Sequence, residues 1–83
     1  MYDVFIHKTA AKKIKKLPRD LKEKVLKHID LLARQPYLGK RLHGELEGNR
    51  RLRVGDLRLI YGISEKEKTV IVHAIGSRGD IYK

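Results

Sequence analysis

Between Arg51 and Tyr61 the chain alternates almost residue by residue between cations and hydrocarbons: Arg51-Leu52-Arg53-Val54, then Gly55-Asp56, then Leu57-Arg58-Leu59-Ile60-Tyr61. A period of two belongs to a strand with one buried face. Two such runs joined by two residues, glycine first, read as a hairpin closed by a type II′ turn. That turn sets the register. Val54 faces Leu57, Arg53 faces Arg58, Leu52 faces Leu59 and Arg51 faces Ile60. Leu52, Val54, Leu57, Leu59 and Tyr61 then share one side of the sheet, and a second layer must cover it. A slip of one residue would turn every side chain over.

The segment before the hairpin supplies that layer. Lys8 to Leu17 carries Ala10, Ile14 and Leu17 at helical spacing. Pro18 ends this helix and is expected as the first residue of the next. Asp20 and Glu23 place acid in the second helix's first turn, where the macrodipole favours it. Leu21, Val25, Ile29 and Leu32 form its buried stripe as far as about Arg34, and Pro36 closes it. Two helices joined at a proline read as a helical hairpin. Met1 to His7 reads as a first strand with Tyr2, Val4 and Ile6 to one side. Tyr37 to Gly48 is a loop, expected to be ordered by Tyr37, Leu38, Leu42 and Leu46 docking on the core. Ser64 to Lys68 is a polar turn. Thr69 to Ile75 is an apolar, central strand broken by Gly76-Ser77, and Ile81-Tyr82 adds a short extended piece. The order β-α-α-β-β-β predicts an α+β fold. Its N-terminal helical hairpin packs on one face of a small, mainly antiparallel twisted sheet.

The 83 residues form a single domain, residues 1–83. There is no cysteine, which excludes disulfides and thiolate zinc sites and fits a reducing, cytoplasmic setting. No run approaches the ~18 apolar residues of a membrane helix, and the N-terminus lacks the basic and apolar regions of a signal peptide, so no membrane partner is expected. The charge points elsewhere: 20 Lys+Arg against 10 Asp+Glu leave a formal +10. A domain this basic calls for a polyanion, nucleic acid first.

The cations form two populations. Nine lie between Lys8 and Lys27, eight of them lysines. Lysine is a strongly hydrated point charge suited to solvation and steering. Lys12, Lys13, Lys16 and Lys22 are therefore candidates for salt-sensitive, long-range contact with a polyanion. The arginines come later: Arg41, Arg50, Arg51, Arg53, Arg58 and Arg78. Their planar donor forks suit phosphate oxygens. An Arg53–Arg58 pair across the hairpin costs about 0.2–1 kcal/mol, with no acid on either strand to offset it. A fold gains nothing from this arrangement, whereas a phosphate site does. Histidines 7, 28, 43 and 73 lack the spacing of a metal site, no carboxylate pair accompanies the arginines, and neither metal nor other cofactor is expected. His73, in a strand, is a further candidate for the arginine face. Tyr82 is the hydroxyl nearest Arg78.

These residues together resemble the RelE/ParE superfamily of toxin–antitoxin toxins over nearly the whole chain. The likeness runs from Tyr2-Asp3-Val4 through Leu17-Pro18, Pro36 and Lys40-Arg41-Leu42-His43-Gly44 to the stretch Gly48–Tyr61. It ends in Ile75-Gly76-Ser77-Arg78-Gly79-Asp80-Ile81-Tyr82. The resemblance implies the RelE-type fold. It also implies the RelE branch's activity, a ribosome-dependent endoribonuclease that cuts mRNA in the A site without metal, by attack of the 2′-hydroxyl on the neighbouring phosphate. The family's catalytic positions fall on Arg51, Arg53, Arg58, Arg78 and Tyr82, with Arg50 beside them as an RNA contact. Some members carry lysine where this chain has Arg51 and Arg53. Lysine can lower its pKa and act as a general base, and arginine cannot. Tyr82, His73 or a group of the ribosome itself must take that role here. The resemblance further implies two partners, the ribosome with its mRNA and a RelB-like antitoxin, acidic and partly disordered. Two other readings stand beside it: a ParE-like inhibitor of DNA gyrase, and a non-catalytic basic RNA-binding module.

Overall fold

Pro18 and Pro36 bracket the second helix, and Pro18 separates it from the first. The computed structural model describes residues 1–44 and 48–77. Over these the elements are β1 (Asp3–Ile6), α1 (Lys8–Lys15), α2 (Arg19–Arg34), β2 (Lys40–Arg41), β3 (Asn49–Val54), β4 (Leu57–Ser64) and β5 (Thr69–Ser77). His7 caps α1, its ring nitrogen accepting from the Thr9 N–H at 3.2 Å. Pro18, expected as the first residue of α2, is instead its N-cap with extended backbone, and the helix begins at Arg19. Its carbonyl accepts from the Lys22 N–H at 2.8 Å.

The strands form one mixed sheet in the order β1-β5-β4-β3-β2. The first strand pairs with the last in parallel, Asp3 with Thr69 through Ile6 with Val72, and every other pair is antiparallel. The hairpin register is the expected one, from Val54 opposite Leu57 to Arg51 opposite Ile60. Gly55 has φ +60° and Asp56 is not in the positive region, as a type II′ turn requires.

Both helices cover one face. Ala10 and Ile14 of α1 and Val25, Ile29 and Leu32 of α2 are buried with Val54, Leu59, Tyr61, Val70, Val72 and Ile75 of the sheet. Leu52, Leu57 and Leu17 pack at the margin of this core. Arg51, Arg53 and Arg58 are left on the side away from the helices, since side chains alternate along a strand.

The structure corrects the sequence reading at several points. The loop after α2 contains β2, whose two residues pair Lys40 with Arg51 and Arg41 with Arg50. Of the apolar anchors expected for that loop, Tyr37 and Leu38 are 51% and 44% exposed while Leu42 is half-buried, and polar contacts hold the loop as well. The Tyr61 hydroxyl, fully buried beneath the loop, donates to Pro36 O at 2.8 Å and accepts from the Gly39 N–H at 2.8 Å. The last strand does not stop at Gly76, because that glycine pairs with Arg58 and Ser77 with Leu57. A register shift on β5 lets Ile60 pair with Ala74 and Tyr61 with Val72, so His73 is an extra, bulged residue. Leu46 and the Ile81-Tyr82 piece lie outside the described residues.

Candidate functional site

The site follows from alternation and register. Arg53 and Arg58 are direct partners across β3 and β4, and Arg51 stands two residues along β3, opposite Ile60. Two residues of strand are about 7 Å. β2 adds Lys40 beside Arg51. Together with Leu38, Gly39 and Leu52 these four cations line a groove of about 280 Å³. A second depression of about 330 Å³ lies on the other side of the arginine pair, walled by Arg53, Arg58, Asp56 and Ser77. Arg53 donates through Nε to Gly55 O at 3.3 Å, which directs its guanidinium back over the turn.

Gly39 makes the first groove possible. A Cβ at this position would stand 2.6 Å from Arg51 O and 2.7 Å from the Tyr61 hydroxyl. Only a bare backbone lets the loop come this close to β3, and that approach brings Lys40 to the arginines.

Among the described residues that line the two depressions, Asp56 is the one acid. The ion pairs among the described residues include Arg19–Glu23, Asp30–Arg34 and Glu65–Lys68, on the helices and the β4–β5 turn. None of these three involves Arg53 or Arg58. Among the described residues no three or more His, Asp or Glu side chains gather where a metal could be held. The arrangement presents fixed positive charge with directional donors, and so suits a phosphate whose charge grows during reaction.

The other sequence-derived residues fall in different places. Arg50 pairs with Tyr61 and so faces the helix side. Its guanidinium donates to Gly39 O at 2.7 Å and to Tyr37 O at 3.4 Å, and it lies 4.9 Å from the centre of the Tyr37 ring. The structure thus separates Arg50 from Arg51 and Arg53 and sets it against the loop that carries Lys40. Lys12, Lys13 and Lys16 are exposed on or just after α1, and Lys22 is half-buried on α2. Lys13 and Lys16 border a groove that ends at Gly76 and Ser77, the same end of the sheet as Arg58. Arg78 and Tyr82 lie outside the described residues.

One feature of this face escaped the sequence reading. Lys40 was hidden because a two-residue strand has no periodicity to detect. His73, a candidate for this face from the sequence, is exposed one residue beyond the buried Val72.

Residues 4–82 match the family model for the ParE toxin of the type II toxin–antitoxin system parDE. The chain is 34% identical over 84 residues to the toxin RelG of Mycobacterium tuberculosis, covering 99% of this chain and 97% of that protein. Among solved structures, it overlays the toxin–antitoxin complex RelBE2 of M. tuberculosis with a TM-score of 0.85 and 33% identity, covering 93% of this chain and 98% of that one. It overlays the archaeal RelE–RelB complex of Pyrococcus horikoshii with a TM-score of 0.78 and 29% identity, covering 95% and 97%. The family match spans the helical hairpin, the five strands and the arginine pair alike: the chain belongs to the RelE/ParE superfamily and is a toxin of a type II toxin–antitoxin system.

Proposed function

We propose that this toxin is a ribosome-dependent endoribonuclease that cuts mRNA in the A site and so stops translation. The observation that carries the reading is the Arg53–Arg58 pair, two like charges placed directly opposite each other on the sheet face away from the helices. Such a pair weakens the sheet unless an anion occupies it.

The chemistry follows from the residues. A 2′-oxygen attacks the adjacent phosphorus in line with the departing 5′-oxygen. The P–O5′ bond breaks, leaving a 2′,3′-cyclic phosphate and a 5′-hydroxyl. The proton lost by the 2′-hydroxyl goes to a general base, and a proton is delivered to the 5′-oxygen. Negative charge on the non-bridging oxygens rises in between. Arg58 and Arg78 brace those oxygens, while Arg51 and Arg53 hold the flanking backbone. Preorganised donors of this kind contribute about 10²–10³ in rate each. The chain presents little acid–base machinery, so Tyr82, His73 or a ribosomal group moves the protons. In-line geometry comes largely from the ribosome, which holds the mRNA. Lys12, Lys13, Lys16 and Lys22 contribute long-range attraction to rRNA.

The cognate partner is a RelB-like antitoxin. Solved relatives are complexes of toxin and antitoxin, by their names RelBE2 and RelE–RelB. With +10 on this chain, an acidic segment that folds as it binds fits best. It neutralises the toxin by covering the arginines or by making the complex too bulky for the A site. One observation favours a second reading, inhibition of DNA gyrase: the matching family model takes its name from ParE.

Primer extension on an mRNA in a translating extract separates them. Cuts within A-site codons, with cyclic-phosphate ends, support the ribonuclease. Intact mRNA with gyrase-linked DNA breaks supports the alternative. A basic module without catalytic activity gives neither.

A further inference from the structure

Strand β2 is two residues long, yet it is anchored at both ends. Just before it, Gly39 O accepts from the Arg50 guanidinium at 2.7 Å. Just after it, the Leu42 N–H donates to Asn49 O at 3.0 Å. Gly39 itself lies against Arg51 O and the Tyr61 hydroxyl, where a Cβ has no room. Between these anchors Lys40 stands directly opposite Arg51, and Arg41 opposite Arg50. Residues so opposed share a face of the sheet. Arg41 therefore follows Arg50 to the helix side, while Lys40 projects with Arg51 onto the arginine face. Lys40 and Arg51 line one groove with Arg53 and Arg58.

Chemistry separates Lys40 from these neighbours. A guanidinium does not give up its protons in a protein, so an arginine braces charge but is a poor proton donor. A lysine ammonium on its flexible stem can hand a proton over. The other described residues lining this groove are the three arginines, Leu38, Gly39 and Leu52. Lys40 is the one among them suited to proton transfer. Its reach is sufficient. Opposed residues lie about 4.5–5.5 Å apart across a strand pair. The Arg53–Arg58 pair is about 7 Å further along. Five side-chain bonds carry Nζ about 6 Å from its Cα. A phosphodiester held between Arg51 and the Arg53–Arg58 pair is within that radius.

We propose that Lys40 is the proton donor to the departing 5′-oxygen. The inference rests on the RNA-cleaving reading and adds a catalytic residue to it. As the 2′-oxygen bonds to phosphorus, the P–O5′ bond breaks and its electron pair goes to O5′. The Nζ proton is transferred to that oxygen, which leaves as a 5′-hydroxyl. Lys40 remains as a neutral amine and regains a proton from water. The 2′-hydroxyl proton leaves separately, to Tyr82, His73 or a ribosomal group. The arginines thus stabilise the non-bridging oxygens, and Lys40 the leaving group. General acid catalysis of this kind contributes about 10²–10⁴ in rate.

The experiment compares two scissile linkages in mRNA on programmed ribosomes, one with the natural 5′-oxygen and one with a bridging 5′-sulfur. A thiol titrates near ~8.5, so a thiolate departs without being protonated. Single-turnover cleavage is followed for the wild type, Lys40→Ala and Lys40→Arg. Lys40 is exposed, so neither substitution disturbs the core, and circular dichroism confirms the fold of each variant. Both variants should cut the natural linkage more slowly by about 10²–10⁴-fold. Lys40→Arg is included because it keeps the charge and loses the transferable proton. On the sulfur linkage both should return close to the wild-type rate. Full activity of Lys40→Arg on the natural linkage overturns the assignment, because charge alone then suffices. Equal slowing on both linkages overturns it as well. These outcomes leave the ribonuclease standing, since the wild type still cuts. If the wild type cuts neither linkage, the ribonuclease reading fails and the role of Lys40 fails with it.

Discussion

Replacing Arg58 with glutamine should make the folded protein more stable while removing its activity. Arg53 and Arg58 are directly paired on β3 and β4. Like charges so placed destabilise a sheet by about 0.2–1 kcal/mol. Glutamine keeps much of the side-chain length and its apolar stem, so the substitution isolates the charge. In a domain of this size 1 kcal/mol shifts Tm by about 4–8 °C, so the expected rise is roughly 1–8 °C at low ionic strength. At 1 M salt, where the Debye length is about 3 Å, the gain should largely vanish. A double-mutant cycle with Arg53→Gln gives the pairwise term directly. Each single variant should be stabilised, and the double variant by less than the sum, because only one repulsion exists to be removed. The assay is thermal unfolding followed by circular dichroism at low and high salt. If both single variants lose stability and the cycle shows a favourable Arg53–Arg58 coupling, the pair serves the fold. The argument for a phosphate site then loses its main support.

Further outcomes follow from the same contacts. Tyr61→Phe leaves the Gly39 N–H and Pro36 O without their buried partner and should cost about 2–4 kcal/mol, read from urea unfolding. Gly39→Ala has no room against Arg51 O and the Tyr61 hydroxyl; it should lower Tm and weaken RNA binding together, as the loop carrying Lys40 withdraws. Burial pushes the Tyr61 phenol above its ordinary value of 10.0. Its contribution is full below that pH and lost as pH rises through the folded value, so Tyr61→Phe should flatten the alkaline limb of a stability–pH curve. The hydrogen bond from Tyr2, aided by Lys68, holds the Glu65 carboxyl below its ordinary value of 4.5. That contribution is present above pH 4.5 and fades as pH falls, so Tyr2→Phe should flatten the acid limb. Substituting alanine for Lys12, Lys13, Lys16 and Lys22 should weaken ribosome binding in a salt-dependent way and leave the single-turnover rate nearly intact.

The sequence made legible whatever is encoded locally. The Gly55-Asp56 turn fixed the register of the hairpin, and the register fixed which side Arg51, Arg53 and Arg58 occupy. The stripes from Ala10 to Leu32 fixed what covers the other side. Features created by contact between distant segments were not legible. β2 exists only because Lys40 and Arg41 meet Arg51 and Arg50. The tight approach at Gly39 depends on Tyr61, 22 residues away. Arg50 looks like its neighbours in the sequence, yet alternation puts it on the far side, where it holds the loop. The His73 bulge arises from how β5 meets β4, and an apolar run of that length is compatible with either register. Lys40 therefore joins the site only once the sheet is assembled.

The most direct test uses ribosomes programmed with an mRNA carrying one 2′-deoxy sugar just 5′ of the scissile phosphate. Single-turnover cleavage is followed for the wild-type toxin, Arg58→Ala and Arg78→Ala. The ribose mRNA should be cut by the wild type and cut more slowly by about two to three decades in each variant. The deoxy mRNA should not be cut at all, because the attacking oxygen is gone. Cleavage of the deoxy mRNA at the normal rate, or full activity in Arg58→Ala, would contradict 2′-hydroxyl attack stabilised by the arginine face.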